Sequence, residues 1–265
     1  MEGNITLYKY LDAKGGLMML QNSNLQFTNA TRLNDPFDCH PALLDFSNAP
    51  VNEHNWPPAD FLKEKGITDM ENLRSSAWIC SLSKVNDSLL MWTYYGNHNG
   101  VCVGLDMEKV RKYLSNIYCK IFVGAMEMEV QYIDVVERPD YFYGANDYFH
   151  YLLSTKAKEW EHEQEVRLLL IDPTPAWIPN QPFFAPMMRQ GEQKNEEEII
   201  DKKEFKAYPH LGGECFESLY LGIKMDEQEK IRIIEAARKC NQNVKIYQMA
   251  VEPEALKLKE ELLSH

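Results

Sequence analysis

The segment that most constrains this chain runs from Glu159 to Ile171. Four glutamates and a histidine, in Glu159-Trp160-Glu161-His162-Glu163-Gln164-Glu165, lead without a break into Val166-Arg167-Leu168-Leu169-Leu170-Ile171. The second half reads as a buried strand from its apolar run, and successive strand side chains alternate between faces. If the strand begins near Glu163, then Glu163, Glu165 and Arg167 project from one face of a sheet that is otherwise apolar. Like charges this close raise at least one carboxylate pKa unless Arg167 or Lys156 offsets them, which is the usual way a general acid, base or charge stabiliser is prepared. A surface patch of salt bridges at a helix end explains the same letters. Metal binding through Glu159-x-x-His162 on a helix would need a second such motif to build a two-metal carboxylate site, and the sequence has none. No metal is expected.

Around this segment the chain has ordinary globular composition. Its 265 residues are 45% hydrophobic and 26% charged, and a chain of this length buries roughly 75% of the surface its unfolded form exposes. A single domain over 1–265 is expected, with no disulfide or metal staple. Lys and Arg number 28 against 40 Asp and Glu, a net charge of −12. That balance argues against extended binding of duplex nucleic acid, a mode that neutralises phosphates with a basic face. The six cysteines, Cys39, Cys80, Cys102, Cys119, Cys215 and Cys240, are too far apart for a CxxC zinc or redox pair and read as small buried hydrophobes. No stretch reaches the ~18 apolar residues of a membrane span, and Met1–Leu20 lacks a cationic region followed by a long apolar run. A cytoplasmic protein with reduced thiols and no membrane association is the expectation.

Hydrophobic period and turn chemistry predict an α+β, or mixed α/β, fold with a central, largely antiparallel or mixed sheet flanked by helices. Strands are expected at Thr6–Tyr10, Asn24–Thr28, Ala77–Ser83, Val101–Asp106, within 120–134, and at Glu165–Ile171, Leu219–Ile223 and Val244–Val251. Helices are expected after Asp12, around Asp60–Ser75, from Asp87 through Trp92, and at Met107–Asn116 and Tyr143–Ala157. Two more are expected at Asp226–Lys239, with Ile231, Ile234 and Ala237 on one face, and at Glu254–Leu263. The tail at about 215–265 thus reads strand–helix–strand–helix. Prolines between Pro173 and Pro186 allow strand there only at edges, and 190–206 reads as a solvated loop or hairpin. No GxGxxG or GxxxxGK turn follows a strand, which excludes the usual dinucleotide fold and the P-loop. No GxSxG elbow and no repeat period occur.

Three further clusters could carry chemistry. In Leu7-Tyr8-Lys9-Tyr10, alternation puts Tyr8 and Tyr10 on one face and Lys9 on the other; half-buried strand aromatics are the plainer explanation. Asn34-Asp35-Pro36-Phe37-Asp38 could coordinate a cation or position a ribose, or be a turn that caps its own backbone. In Cys80-Ser81-Leu82-Ser83 the two serines share a face, and Tyr94, Tyr95 and His98 gather where the next helix ends before Gly100. Two rings, a histidine and close backbone approach suit a planar ring ligand such as a nicotinamide or a base. A helix that packs Trp92 and Tyr95 into the core and ends in a polar loop suits the letters as well.

In this order, Tyr8-Lys9-Tyr10, Asn34–Asp38, Cys80–Ser83, Met91–Gly100 and Trp160–Arg167 resemble the motifs of a bacterial family, domain of unknown function 2971 (DUF2971), over nearly the whole chain. That family name carries no activity. A second resemblance runs to the ADP-ribosyltransferase superfamily: Ser81-x-Ser83 is similar to its serine strand motif and Glu163-x-Glu165 to its paired-glutamate motif, while Lys9 or Tyr10 stands where Arg or His is expected. The resemblance implies NAD as substrate, an ADP-ribosyltransferase-like fold and loss of nicotinamide through an oxocarbenium-like ribosyl cation. It implies that Tyr94 or Tyr95 stacks on the nicotinamide and that Ser81 or Ser83 bonds near the ribose. Glu165 would hold a ribose hydroxyl and stabilise positive charge, Glu163 would orient a protein or nucleic-acid acceptor, and Lys9 or Arg167 would meet the pyrophosphate. Such an enzyme would act in stress or phage defence. The alternatives are a non-catalytic module that senses a nucleotide or binds a partner, and a metal-dependent nuclease built on Asp35, Asp38 and Glu165.

Overall fold

One large sheet organises the chain. The computed structural model describes residues 5–51, 57–118, 124–144, 148–172, 200–201 and 203–264. The strands are β1 (Thr6–Leu11), β2 (Phe27–Asn29), β3 (Ala77–Ser83), β4 (Val101–Asp106), β5 (Gly124–Glu129), β6 (Gln131–Ile133), β7 (Thr155–Ala157), β8 (Glu165–Ile171), β9 (Ile200–Asp201), β10 (Lys206–Ala207), β11 (Phe216–Leu221), β12 (Lys245–Glu252) and β13 (Lys257–Ser264). The helices are α1 (Ala13–Asn22), α2 (Ala59–Ser76), α3 (Leu89–Gly96), α4 (Met107–Tyr118), α5 (Tyr148–Ser154) and α6 (Glu227–Cys240). The sheet order is β13-β12-β11-β4-β1-β3-β2-β10-β9, with β8 on the other edge of β3 and β5 beyond β8; β6 and β7 pair separately. Among the described strands of the large sheet only β11 and β12 run parallel. The result is the expected α+β fold.

Strand β3 is the junction of the sheet. It pairs with β8 along its whole length, from Ala77↔Ile171 to Ser83↔Glu165, whereas its other edge meets β2 at Trp78 and Ile79 and β1 only at Ser83. Alternation then sorts the side chains. One face carries Trp78, Cys80 and Leu82 of β3, Val166, Leu168 and Leu170 of β8, and Val101, Val103 and Leu105 of β4, covered by Leu20 of α1, Val110 of α4 and Ile233 of α6. The opposite face divides in two. Ile79, Leu169 and Ile171 pack with Met128, Leu73 of α2 and Leu152 and Leu153 of α5, while Tyr10, Cys102 and Tyr220 pack with Met91 and Trp92 of α3. Each fully buried aliphatic or aromatic side chain contributes roughly 1.5–3 kcal/mol.

Helix ends follow local chemistry. The Asp12 carboxylate accepts from the Gly15 amide at 2.6 Å and caps α1, and Ser88 rather than Asp87 caps α3. Beyond α3, Asn97 and His98 have φ of 46° and 61°. Gly100 must lack a side chain, since a Cβ there would lie 2.2 Å from the Leu11 carbonyl oxygen.

Three expectations need correction. Residues 257–264 form strand β13 and not a helix: their Lys, Glu and Leu content favours helix by only a few tenths of a kcal/mol per residue. Pairing with β12 from Ile246↔Ser264 to Glu252↔Lys257 overrides that preference. Helix α6 buries Ile233, Ala236 and Ala237 and leaves Ile231 56% exposed, so the core-facing stripe is displaced from the predicted one. In the stretch read as one helix over 143–157, α5 stops at Ser154 and the next three residues are β7, parallel to β6. The proline run, the mixed-charge stretch up to residue 199 and Cys119 lie outside the described residues. No described helix is long and apolar enough to cross a membrane.

Candidate functional site

The face of β3 and β8 that is apolar at Ile79, Leu169 and Ile171 turns polar at the next same-face positions, where Ser81 lies opposite Arg167 and Ser83 opposite Glu165. Asp38 reaches this face from the Asn34–Asp38 turn. There the Asp35 carboxylate accepts from the Phe37 amide at 2.9 Å, so the turn does cap its own backbone and in doing so presents Asp38 inward. The Arg167 guanidinium meets an oxygen on every N–H. Nε donates to Glu165 Oε1 at 2.9 Å, Nη2 to Asp38 Oδ2 at 2.8 Å and Glu165 Oε2 at 3.3 Å, and Nη1 to Asp38 Oδ1 at 2.8 Å and the Leu153 carbonyl at 2.7 Å. This forked, two-carboxylate geometry is one that a lysine could not reproduce.

Lys156, from β7, supplies the second cation. It donates to Glu163 Oε2 at 2.5 Å and Glu165 Oε2 at 3.2 Å, and its ammonium sits 4.8 Å from the centre of the Trp160 ring. Glu163 is not on the strand. It ends the 3₁₀ turn Lys158–Glu163, and Gln164, with φ 43°, turns the chain into β8. The two glutamates therefore reach Lys156 from different elements and not by strand alternation. Tyr95 of α3 donates to Glu163 Oε1 at 3.0 Å, Ser83 Oγ donates to the Glu163 carbonyl at 2.7 Å, and Tyr132 accepts from the Glu165 amide at 2.7 Å. Asp38, Lys156, Glu163, Glu165 and Arg167 are each at most 6% exposed. Three carboxylates against two cations leave one net negative charge in this buried set.

Burial pushes the Glu165 carboxyl up, but Arg167 and then Lys156, with hydrogen bonds from Arg167 and Ser81, more than reverse this and hold it at about 2. Burial likewise opposes the charges on Arg167 and Lys156, and the carboxylates override it, raising both. Glu165 is therefore a fixed carboxylate and not a poised acid. Burial raises the Tyr95 hydroxyl, and Glu163, Glu165 and Asp38 raise it further.

Outside this set lies an open cleft of about 400 Å³, lined by Asn34, Tyr94, Tyr95, Glu159, Trp160 and His162. Tyr94 and Trp160 flank the His162 ring, with centroids 5.6 and 6.1 Å away. His162 Nδ1 lies 2.9 Å from the Glu159 carbonyl oxygen, so that nitrogen carries the hydrogen. Its Nε2 is buried and has no hydrogen-bond partner. Two cleft walls are tied directly to the buried charges: Tyr95 through Glu163 and Trp160 through Lys156.

The residues singled out from sequence thus divide into three groups. Glu163, Glu165, Arg167, Ser81, Ser83 and Tyr95 converge, and Tyr94 and Tyr95 face the cleft. Lys9 shares its face with Leu7 and donates to the Ser81 carbonyl at 2.8 Å, at the point where β1 parts from β3. Tyr10 donates to the Val85 carbonyl and packs edge-on against Trp92. His98 bonds Thr93 at 3.0 Å and serves the turn after α3; burial and then Lys224 lower its pKa. Asn34, Glu159, Trp160 and His162 complete the cleft lining, a shared role that their spacing in the sequence does not mark. Among the described residues, no group of three or more His, Cys, Asp or Glu could hold a metal ion. The chain matches no family model, no curated protein and no solved structure.

Proposed function

We propose that the protein is a binding module for a small, nucleotide-like molecule, whose flat ring enters the cleft between Tyr94, Tyr95, Trp160 and His162. The observation that carries this reading is the cleft itself: four rings around about 400 Å³, two of them held from behind by hydrogen-bonded or ion-paired groups. Rings fixed in this way stack on a flat ligand without first losing side-chain freedom. The lining has no Lys or Arg, so any phosphates of the ligand would lie outside the cleft. The DUF2971 resemblance adds no activity to this reading, which includes a cytoplasmic setting. Titration calorimetry with NAD, AMP and ribose 5-phosphate tests it. NAD or AMP should bind, ribose 5-phosphate should not, and Trp160→Ala should weaken the binding. Equal binding of ribose 5-phosphate, or no binding of either ring compound, would refute the module.

One observation favours a second reading, NAD-consuming ADP-ribosyl chemistry. Ser81 and Ser83 lie in register with Arg167 and Glu165, and Glu163 is one hydrogen bond behind the cleft wall. Turnover would require the Tyr95–Glu163 bond to open, because Glu163 and Glu165 are closed off from the cleft. Release of free nicotinamide from NAD by the wild type, abolished in Glu163→Gln and Glu165→Gln, supports this chemistry. Binding without release leaves the module. A metal-dependent nuclease has no such support, since Arg167 bonds both Asp38 and Glu165 where the metal would have to sit.

A further inference from the structure

We infer that the cleft selects its ring ligand for positive charge and takes a pyridinium or similar cationic heteroaromatic ring. This rests on the reading that a flat ring binds in the cleft, and names the class of ring. Four of the six lining residues carry aromatic rings, and the one acidic side chain among them is the exposed Glu159. Behind Tyr95 the nearest buried charge is the Glu163 carboxylate, which accepts its hydroxyl at 3.0 Å, whereas behind Trp160 it is the Lys156 ammonium, so the negative charge that favours a cation comes from Glu159 and from the Tyr95 side. Lys158, the nearest exposed cation in sequence, is engaged with Asp134 at 3.0 Å.

Aromatic faces attract a cation within about 6 Å of the ring centre through the ring quadrupole. Trp160 already holds the Lys156 ammonium at 4.8 Å, which weakens what that ring can offer to a second cation. Tyr94 and Tyr95 are then the principal π acceptors and Glu159 the principal charge partner. A neutral ring would gain stacking alone, and an anionic ring would be repelled by Glu159.

The test is a calorimetric titration of the full chain with 1-methylnicotinamide, a cation, and with nicotinamide, its neutral counterpart. The cation should bind about tenfold more tightly at low salt, with the preference narrowing as salt screens the charge. Glu159→Gln should weaken the cation about threefold or more and leave nicotinamide unchanged. Tyr94→Leu should weaken the cation more than the neutral ring. Glu159 and Tyr94 are exposed, so neither substitution threatens the fold. Equal affinity for the two compounds, or an unchanged preference in Glu159→Gln, overturns selection by charge while leaving the ring-binding cleft intact. Binding of neither compound, together with no binding of NAD or AMP, overturns both.

Discussion

The two ends of the β3–β8 ladder make an instructive pair. At one end Ile79 lies opposite Leu169 and Ala77 opposite Ile171; at the other, on the same face, Ser81 lies opposite Arg167 and Ser83 opposite Glu165. Apart from the half-buried Ser81, both ends are closed to water. The apolar end is held by area removed from solvent, a term without direction or charge that is indifferent to pH. The charged end must recover the cost of stripping water from five ionic groups, and does so only because every Arg167 N–H meets an oxygen and Lys156 bridges two carboxylates. One face of one strand pair therefore contains a region whose stability follows the apolar area it buries and a region that tolerates no missing partner.

Substitutions can break this contrast. The largest effect should come from Arg167→Ala, which leaves Asp38 and Glu165 buried without their cation; a loss of about 4 kcal/mol in urea unfolding is expected, and Arg167→Lys should recover only part of it. Acid should separate the two ends next. A carboxyl lowered from 4.5 to about 2 contributes about 3 kcal/mol of stability above the unfolded pKa, lost as pH falls through the folded value. Unfolding midpoints measured from pH 6 to pH 2 should therefore fall, and Glu165→Gln should flatten the decline. Leu169→Ala, at the apolar end, should cost about 3 kcal/mol by the same amount at pH 6 and pH 4. Tyr95→Phe removes one hydrogen bond to Glu163, for about 2 kcal/mol. Ser83→Ala, which loses the bond to the Glu163 carbonyl, should cost about 1 kcal/mol.

Much of the sheet was legible in sequence because β3, β4 and β8 are short apolar runs bounded by turn or charge signals, and Asp12 and Asp226 mark helix starts by capping chemistry. The C-terminal strand was not, since Lys257-Leu258-Lys259-Glu260-Glu261-Leu262-Leu263 favours helix locally and becomes strand only because β12 offers an edge. The charged face was partly legible. Glu163, Glu165, Arg167 and Lys156 stood together in the chain, and their mutual offset was foreseeable, but Asp38 arrives from a turn more than a hundred residues away, and nothing local marks it as the second carboxylate on Arg167. The cleft was the least legible. Tyr94 and Tyr95 were visible as a pair, but Trp160 and His162 were overshadowed by the glutamates between and around them. Only the 3₁₀ turn, which points Trp160 and His162 outward while Glu163 turns in, separates the two roles.

In the proposed module the charged set stays closed while ligand enters the aromatic cleft in front of it. The most direct measurement is ¹⁵N NMR of the Trp160 indole N–H, assigned by its loss in Trp160→Phe, and of the Arg167 Nε–H during titration with 1-methylnicotinamide. The Trp160 signal should move with saturation while the Arg167 signal, locked against Glu165, stays in place. An unmoved Trp160 signal, or an Arg167 signal that shifts alongside it, would contradict the claim.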